Sequence, residues 1–270
     1  MRAKQRLEKT VEAVRARYAR IARGQEPGCC GAAEPEAARR IGYDERDLTA
    51  APQASNLGLG CGAPVGLLDL GPGETVLDLG SGAGLDAILA ARAVGPSGRV
   101  IGVDMTDEMI ARARASAAEA GWNQIEFRKG RLESLPVEDN AIDAITSNCV
   151  INLVPDKAAV FREAARVLRP GGRIVVSDIV LDGALPEVVS SDMMAYVGCI
   201  SGAMQREEYL ALVEAAGLSR IAILKDIDFL EAAGFALPSE LVPRMQAAGV
   251  TVADLEGKIR SITFRAVKPN

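Results

Sequence analysis

A chain of 270 residues, 49% hydrophobic and 25% charged, can bury the core of one large domain. Its formal net charge of -5 lacks the basic field that phosphate binding needs, so no nucleic-acid partner is expected. Histidine is absent, which removes Ser-His-Asp and Cys-His catalysis and every metal site that requires imidazole.

At the N-terminus Leu7, Val11, Val14, Tyr18 and Ile21 recur at helical spacing within the basic stretch Arg2 to Arg23, predicting an amphipathic helix. Glu8 and Glu12 interrupt the basic run, serine is missing from it, and no apolar signal core follows. The segment therefore reads as structural rather than as a targeting peptide. No stretch is long and apolar enough to span a bilayer. Residues 23–63 are rich in Gly, Pro and Ala and carry little periodicity apart from a short helix around Glu34–Ile41. They are expected to form an ordered loop region or lid, and they hold three of the five cysteines. An odd cysteine count does not suit a closed disulfide framework, so thiols in a reducing cytoplasm are expected.

From Glu74 the texture changes. Strands are predicted at Thr75–Leu79, Arg99–Val103, Gln124–Arg128, Ala141–Ser147 and Arg173–Val180, the last following a Gly171-Gly172 turn. Helices at Leu85–Val94, Asp107–Ala120 and Lys157–Leu168 lie between them. Helix Gln205–Ala216, strand Arg220–Asp228 and a closing strand Ile259–Val267 complete the pattern. This alternation indicates βαβ units and an α/β, doubly wound, mostly parallel seven-stranded sheet. The expected division is an N-terminal helix and cysteine-bearing lid over 1–72, an α/β core over 73–182, and a C-terminal elaboration over 183–270.

The turn Asp78-Leu79-Gly80-Ser81-Gly82-Ala83-Gly84 joins the first strand to the first core helix. Glycines there let backbone approach a ligand, and the helix start offers N–H groups. Asp104 ends the second strand, where an acid binds ribose hydroxyls. Gly80, Gly82 and Gly84 form G-x-G-x-G rather than the dinucleotide pattern, and Asp78 beside them suits an ammonium better than a pyrophosphate. The loop resembles motif one of class I S-adenosylmethionine methyltransferases, whose seven-stranded sheet matches the strand count. The resemblance implies S-adenosylmethionine as cofactor, with Asp78, Gly80, Gly82 and Gly84 at its methionine end and Asp104 at its ribose. It sets the adenine near Met105 and the Gly130–Glu133 turn, with Leu132, Glu133 and Asn148 among the contacts. Many such enzymes carry Asp directly after the glycine of that turn. Arg131 stands there here, so Glu133 is the expected partner of the adenine amine.

Cys149 lies at the end of the fourth strand in Ser147-Asn148-Cys149-Val150-Ile151-Asn152-Leu153-Val154-Pro155-Asp156-Lys157. Strand carboxyl ends face the ligand crevice of such sheets, so its thiol is expected near the methyl donor. Cys199 sits in Gly198-Cys199-Ile200-Ser201-Gly202-Ala203, Cys61 in Gly58-Leu59-Gly60-Cys61-Gly62, and Cys29-Cys30 are adjacent. With no C-x-x-C, these are dispersed soft ligands rather than a zinc ribbon. Together the motifs resemble the arsenite methyltransferase family over most of the chain, including its Arg260–Lys268 end.

The resemblance implies that Cys61, Cys149 and Cys199 bind trivalent arsenic, delivered as a small thiol complex. It gives Cys29 or Cys30 a part in arsenic arrival or disulfide relay. Some members carry an aromatic beside the first of these cysteines, whereas Leu59 stands near it here. It further implies a cytoplasmic monomer, coupled to a thiol reductant such as thioredoxin or glutathione, serving arsenic detoxification. The alternatives are a class I methyltransferase of a small organic acceptor and a non-catalytic arsenic-binding protein.

Overall fold

A computed structural model describes residues 2–28, 35–123, 125–192, 199–232, 237 and 241–270. Seven strands form one sheet: β1 (Thr75–Leu79), β2 (Arg99–Asp104), β3 (Glu126–Lys129), β4 (Ile142–Asn148), β5 (Leu168–Leu181), β6 (Ser219–Asp228) and β7 (Ile259–Val267). Their order is β3-β2-β1-β4-β5-β7-β6. The five strands from β3 to β5 run parallel, while β7 lies antiparallel between β5 and β6. The central strands are buried along most of their length because helices cover both of their faces, as parallel sheets require.

The helices are α1 (Arg2–Ala22), α2 (Pro35–Ile41), α3 (Glu45–Ala50), α4 (Leu85–Val94), α5 (Asp107–Glu119), α6 (Lys157–Val167), α7 (Glu187–Ser190) and α8 (Arg206–Ala215). Short helices at Phe229–Ala232 and Leu241–Ala247 follow. Among the described residues no helix is long and apolar enough to cross a membrane.

The predicted strands and helices recur with ends shifted by one or two residues except at β5, and short helices at Glu45–Ala50, Glu187–Ser190, Phe229–Ala232 and Leu241–Ala247 are additional. β5 begins at Leu168 rather than after the glycines, because Leu168 pairs with Ile142 before the register shifts at Ala144↔Arg173. The helix Glu45–Ala50 was absent from the sequence reading because six residues are too few to show a period. It is specified instead by a cap, the Asp44 carboxylate accepting from the Asp47 N–H at 2.7 Å. Gln124, the expected first residue of the third strand, and Glu34 lie outside the described residues.

β1 and β4 are neighbours from which the chain order runs in opposite directions. At such a switch point the loops leaving the two strand ends part and open a crevice. α1 packs on α5 across this edge. Arg23 pairs with Glu108, and the Arg112 guanidinium donates to Ala22 O at 2.8 Å and Ala54 O at 2.9 Å.

Candidate functional site

The loop after β1 turns at Gly80, whose φ of +69° is left-handed. A Cβ there would lie 2.4 Å from the Val150 side chain, so only glycine fits. The Gly80 and Ser81 N–H groups donate to Val103 O at 2.8 and 3.1 Å, folding the loop over the end of β2. Asp104 braces it from there: its carboxylate accepts from the Gly82 N–H at 3.1 Å and the Thr106 N–H at 2.8 Å. Burial raises the Asp104 carboxyl above its ordinary pKa.

Asp78, on β1, is buried, and its Oδ2 has no hydrogen-bond partner. Burial first, then the Asp86 and Asp104 charges, push its carboxyl well above the usual carboxylate range. Asp86 on α4 is pushed up to about 6 by burial, although the Tyr43 hydroxyl donates to it at 2.8 Å and Asn148 Nδ2 at 3.1 Å. Such an unpaired buried carboxylate is costly in the free protein and is the complement of a cation.

Two clefts meet at Gly80, Gly82, Leu59 and Asn148. One, of about 760 Å³, is lined by Val11, Val14 and Tyr18 of α1, by Asp104 and Met105, by Gly130–Glu133, and by Cys149, Val150 and Leu153. The other, of about 560 Å³, is lined by Tyr43, the 55–60 loop, Asp78, Ser81 and Asp86. The first is mostly apolar with few polar groups, the usual character of a small-molecule pocket.

Three thiols converge beyond the shared wall. Cys61, Cys149 and Cys199 are 1%, 4% and 1% exposed. The Cys199 Sγ donates to Cys149 O at 3.1 Å. Cys149 and Cys199 both have left-handed backbone, φ +56° and +66°, which costs a non-glycine residue about 1–2 kcal/mol. Hydrogen bonds with Cys199 and Cys61, and then burial, push the Cys149 thiol pKa well above its ordinary value.

Asn148 ties the Cys61 loop to this strand end: its Oδ1 accepts from Cys61 N at 3.0 Å and Gly62 N at 3.2 Å. Its Nδ2 donates to Gly62 O at 2.8 Å and to the Tyr43 hydroxyl at 2.9 Å. Gly62 is needed there, since a Cβ would lie 2.4 Å from Ser177 Oγ.

Asp178 on β5 lies against the cluster, one ligand atom each from Cys61, Cys149 and Asp178 falling within 4.8 Å of the others. Its carboxyl, fully buried, is pushed up to about 6 by burial. Hydrogen bonds from Tyr209, Ile179 and Asn152, and the charge of Lys157, oppose that shift. Lys157, also buried, points its ammonium at Asn152 O and Val154 O, each at 3.2 Å.

Residues 70–217 match the family model for a methyltransferase domain. Over 230 residues the chain is 44% identical to the arsenite methyltransferase of Halobacterium salinarum, covering 80% of this chain and 59% of that protein. It is 42% identical to that of Aquipseudomonas alcaligenes over 65% of this chain and 52% of the relative. The crystal structure of CrArsM, an arsenic(III) S-adenosylmethionine methyltransferase from Chlamydomonas reinhardtii, superposes with a TM-score of 0.64. The two are 31% identical, over 87% of this chain and 75% of that one. The chain belongs to the arsenite methyltransferase family. It spans a little over half the length of the two curated relatives.

Of the residues that the family resemblance singled out, Asp78, Gly80, Gly82, Asp104, Met105, Leu132, Glu133 and Asn148 line the two clefts. Gly84 lies beneath them as the N-cap of α4, with φ +92°. Glu133 is paired with Arg131 at 2.6 Å, so the family's usual acid in that turn is replaced by an ion pair. Cys61, Cys149 and Cys199 come together, while Cys29 and Cys30 lie outside the described residues. Sequence reading missed the α1 side chains, Tyr43, Asp86 and Asp178. The acids did leave a signal, each the single charge in a mostly apolar run, Leu85–Ala91 and Ile174–Leu181.

Proposed function

We propose that this protein transfers a methyl group from S-adenosylmethionine to trivalent arsenic held by Cys61, Cys149 and Cys199. The observation that carries this reading is the convergence of three buried thiols at the end of β4, with Cys149 itself lining the cleft bounded by Gly80 and Asp104.

The two adjoining clefts together fit the cofactor on their own chemistry. The orphaned Asp78 Oδ2 offers a buried carboxylate for the methionine ammonium. Asp104 would hold the ribose hydroxyls, and Met105 and Leu132 would flank the adenine. Glu133 would accept from the adenine amine beside its Arg131 partner. Bound there, S-adenosylmethionine supplies an electrophilic methyl group on a sulfonium.

Arsenic as substrate is soft and takes three thiolates in a pyramid, keeping a lone pair on the open side. A lone pair facing the methyl needs no general base, which is how a chain without histidine can run the reaction. The chain's part is to position the thiols and exclude water, and their burial does both. Asn148 joins the two halves, holding the Cys61 backbone while facing both clefts.

In this reading residues 73–182 are the cofactor core, 1–72 the covering lid, and 183–270 the segment that brings Cys199 and closes the sheet. Methyl transfer formally oxidises arsenic, so turnover draws on thioredoxin or glutathione, with Cys29 or Cys30 in the relay. The setting is a reducing cytoplasm, and the protein acts as a monomer in arsenic detoxification. Purified protein given the cofactor with arsenite, antimonite or small organic acceptors tests the reading through S-adenosylhomocysteine release. Release with arsenite supports it; release only with an organic acceptor, or arsenite binding without release, overturns it.

A further inference from the structure

We propose that the Asp178 carboxylate is the counter-ion of the cation that arsenic becomes as it is methylated; this rests on the function proposed above. Three observations point to it. First, Asp178 is fully buried at the thiol cluster, with a carboxylate oxygen within 4.8 Å of the Cys61 and Cys149 sulfurs. Second, all its hydrogen bonds come from neutral donors: Asn152 N at 3.2 Å, Asn152 Nδ2 at 2.9 Å, Ile179 N at 3.0 Å and the Tyr209 hydroxyl at 2.9 Å. Third, the nearby cation Lys157 is turned onto two carbonyl oxygens instead of pairing with it. The Lys157 charge is felt at Asp178 but makes no direct ion pair with it, and a buried carboxylate held only by neutral donors is expensive for stability alone.

The charge arithmetic of the reaction gives it a task. Three thiolates on arsenic(III) make a neutral complex. The arsenic lone pair then forms the As–C bond as the methyl–sulfonium bond breaks, and that bond's electron pair leaves with the donor as a neutral thioether. Arsenic passes formally from +3 to +5, and the positive charge moves from sulfur to the tetracoordinate arsenic. A fixed carboxylate beside the thiols is therefore unpaired against the substrate and paired against the product of the step. That is differential binding of the transition state, supplied by a preorganised charge in a dry site. It follows that Asp178 lowers the methyl-transfer barrier without contributing to capture of neutral arsenite.

The test is Asp178→Asn, compared with wild type in two measurements. Single-turnover methyl transfer from arsenite-loaded protein, followed by rapid quench, should slow about a hundredfold, the range seen when one preorganised stabilising group is lost. Arsenite and cofactor affinities by calorimetry should stay within about threefold, because the loaded arsenic is neutral. Tyr209→Phe removes a hydrogen bond but keeps the charge, and should slow transfer less than about fivefold. An unchanged rate in Asp178→Asn, an arsenite affinity that falls as far as the rate, or an equal loss in Tyr209→Phe would each overturn the assignment. If Asp178→Asn does not fold, Asp178→Glu and Asp178→Gln, alike in shape and different in charge, replace it. A much faster Glu variant supports the proposal and equal rates overturn it. Wild-type protein that fails to methylate arsenite refutes the function itself; wild-type methylation with an unaffected Asp178→Asn refutes this inference alone.

Discussion

Asp78→Asn should stabilise the free protein while weakening its grip on the cofactor. In the free protein the carboxylate is 2% exposed, one oxygen has no partner, and Asp86 and Asp104 add like charge. An unsatisfied buried polar group costs about 1–3 kcal/mol, and a charged one sits at the upper end. Replacing the charge by an amide of the same shape should therefore return about 2 kcal/mol, a rise of roughly 4–8 °C in Tm for a chain of this size. The cofactor ammonium loses a charged hydrogen bond worth about 1.5–3 kcal/mol, so affinity should fall roughly 10- to 150-fold.

The sign with pH follows from the raised folded-state pKa. The native carboxyl holds its proton to higher pH than the unfolded one, so its penalty is absent below the unfolded pKa and complete above the folded one. The gain of the mutant should be largest at alkaline pH and vanish as pH falls toward about 4. Thermal unfolding across pH and cofactor calorimetry read both quantities. A mutant that melts lower at pH 8.5 and binds cofactor as tightly as wild type would refute the reasoning.

Asn148→Ala frees the backbone of Cys61 and Gly62 and the Tyr43–Asp86 pair, so arsenite affinity should fall at least tenfold and stability by about 1–3 kcal/mol; calorimetry and urea unfolding check both. Val14→Asp puts a carboxylate into the apolar wall under α1 and should weaken cofactor binding at least tenfold, as calorimetry will show. Once arsenic carries a methyl only two sulfur positions remain, and Cys149 and Cys199 are joined by their own hydrogen bond. Cys61→Ser should then lose arsenite methylation but still methylate monomethylarsonous acid, whereas Cys149→Ser and Cys199→Ser lose both, as product analysis will show. Because its thiol pKa is raised, Cys149 should alkylate far more slowly than an exposed cysteine at pH 7 and accelerate above pH 9, and arsenite should protect it; mass spectrometry of the labelled peptide decides.

The sheet was legible in the sequence because most of its parallel strands hold short apolar runs that alternate with helical periods, a signal that survives without tertiary information. The glycine loop and Asp104 were legible for the same reason: they lie at fixed distances along one βαβ unit. The thiol cluster could be named from the family resemblance but not assembled, since Cys61, Cys149 and Cys199 are brought together by three separate connections. Asn148 illustrates the limit. In the sequence it is a polar residue beside a cysteine; in the fold its amide reaches 86 residues back to Gly62 and 105 back to Tyr43. The covering of the cleft by Val11, Val14 and Tyr18 was likewise hidden, because an amphipathic period shows that a helix has an apolar face and not what that face meets.

A raised thiol pKa looks unfavourable for a site proposed to bind arsenic through thiolates, yet it suits the substrate. Arsenite at neutral pH is the uncharged trihydroxide, and each thiol that replaces a hydroxide hands its proton to the departing group, which leaves as water. Three thiols and one trihydroxide thus give one neutral trithiolate complex and three waters, with no net proton released. The site never has to hold several thiolate charges at once, which burial would forbid. A neutral Cys149 thiol, a neutral substrate and a neutral complex all suit the apolar side chains of Ile179, Val189 and Ile200 packed around the cluster. Of the reactants, only the sulfonium brings charge, and that charge is then passed to arsenic. The roles proposed for the buried acids therefore divide by the stage at which a cation needs them, Asp78 at cofactor binding and Asp178 at transfer, with the raised Cys149 thiol between them.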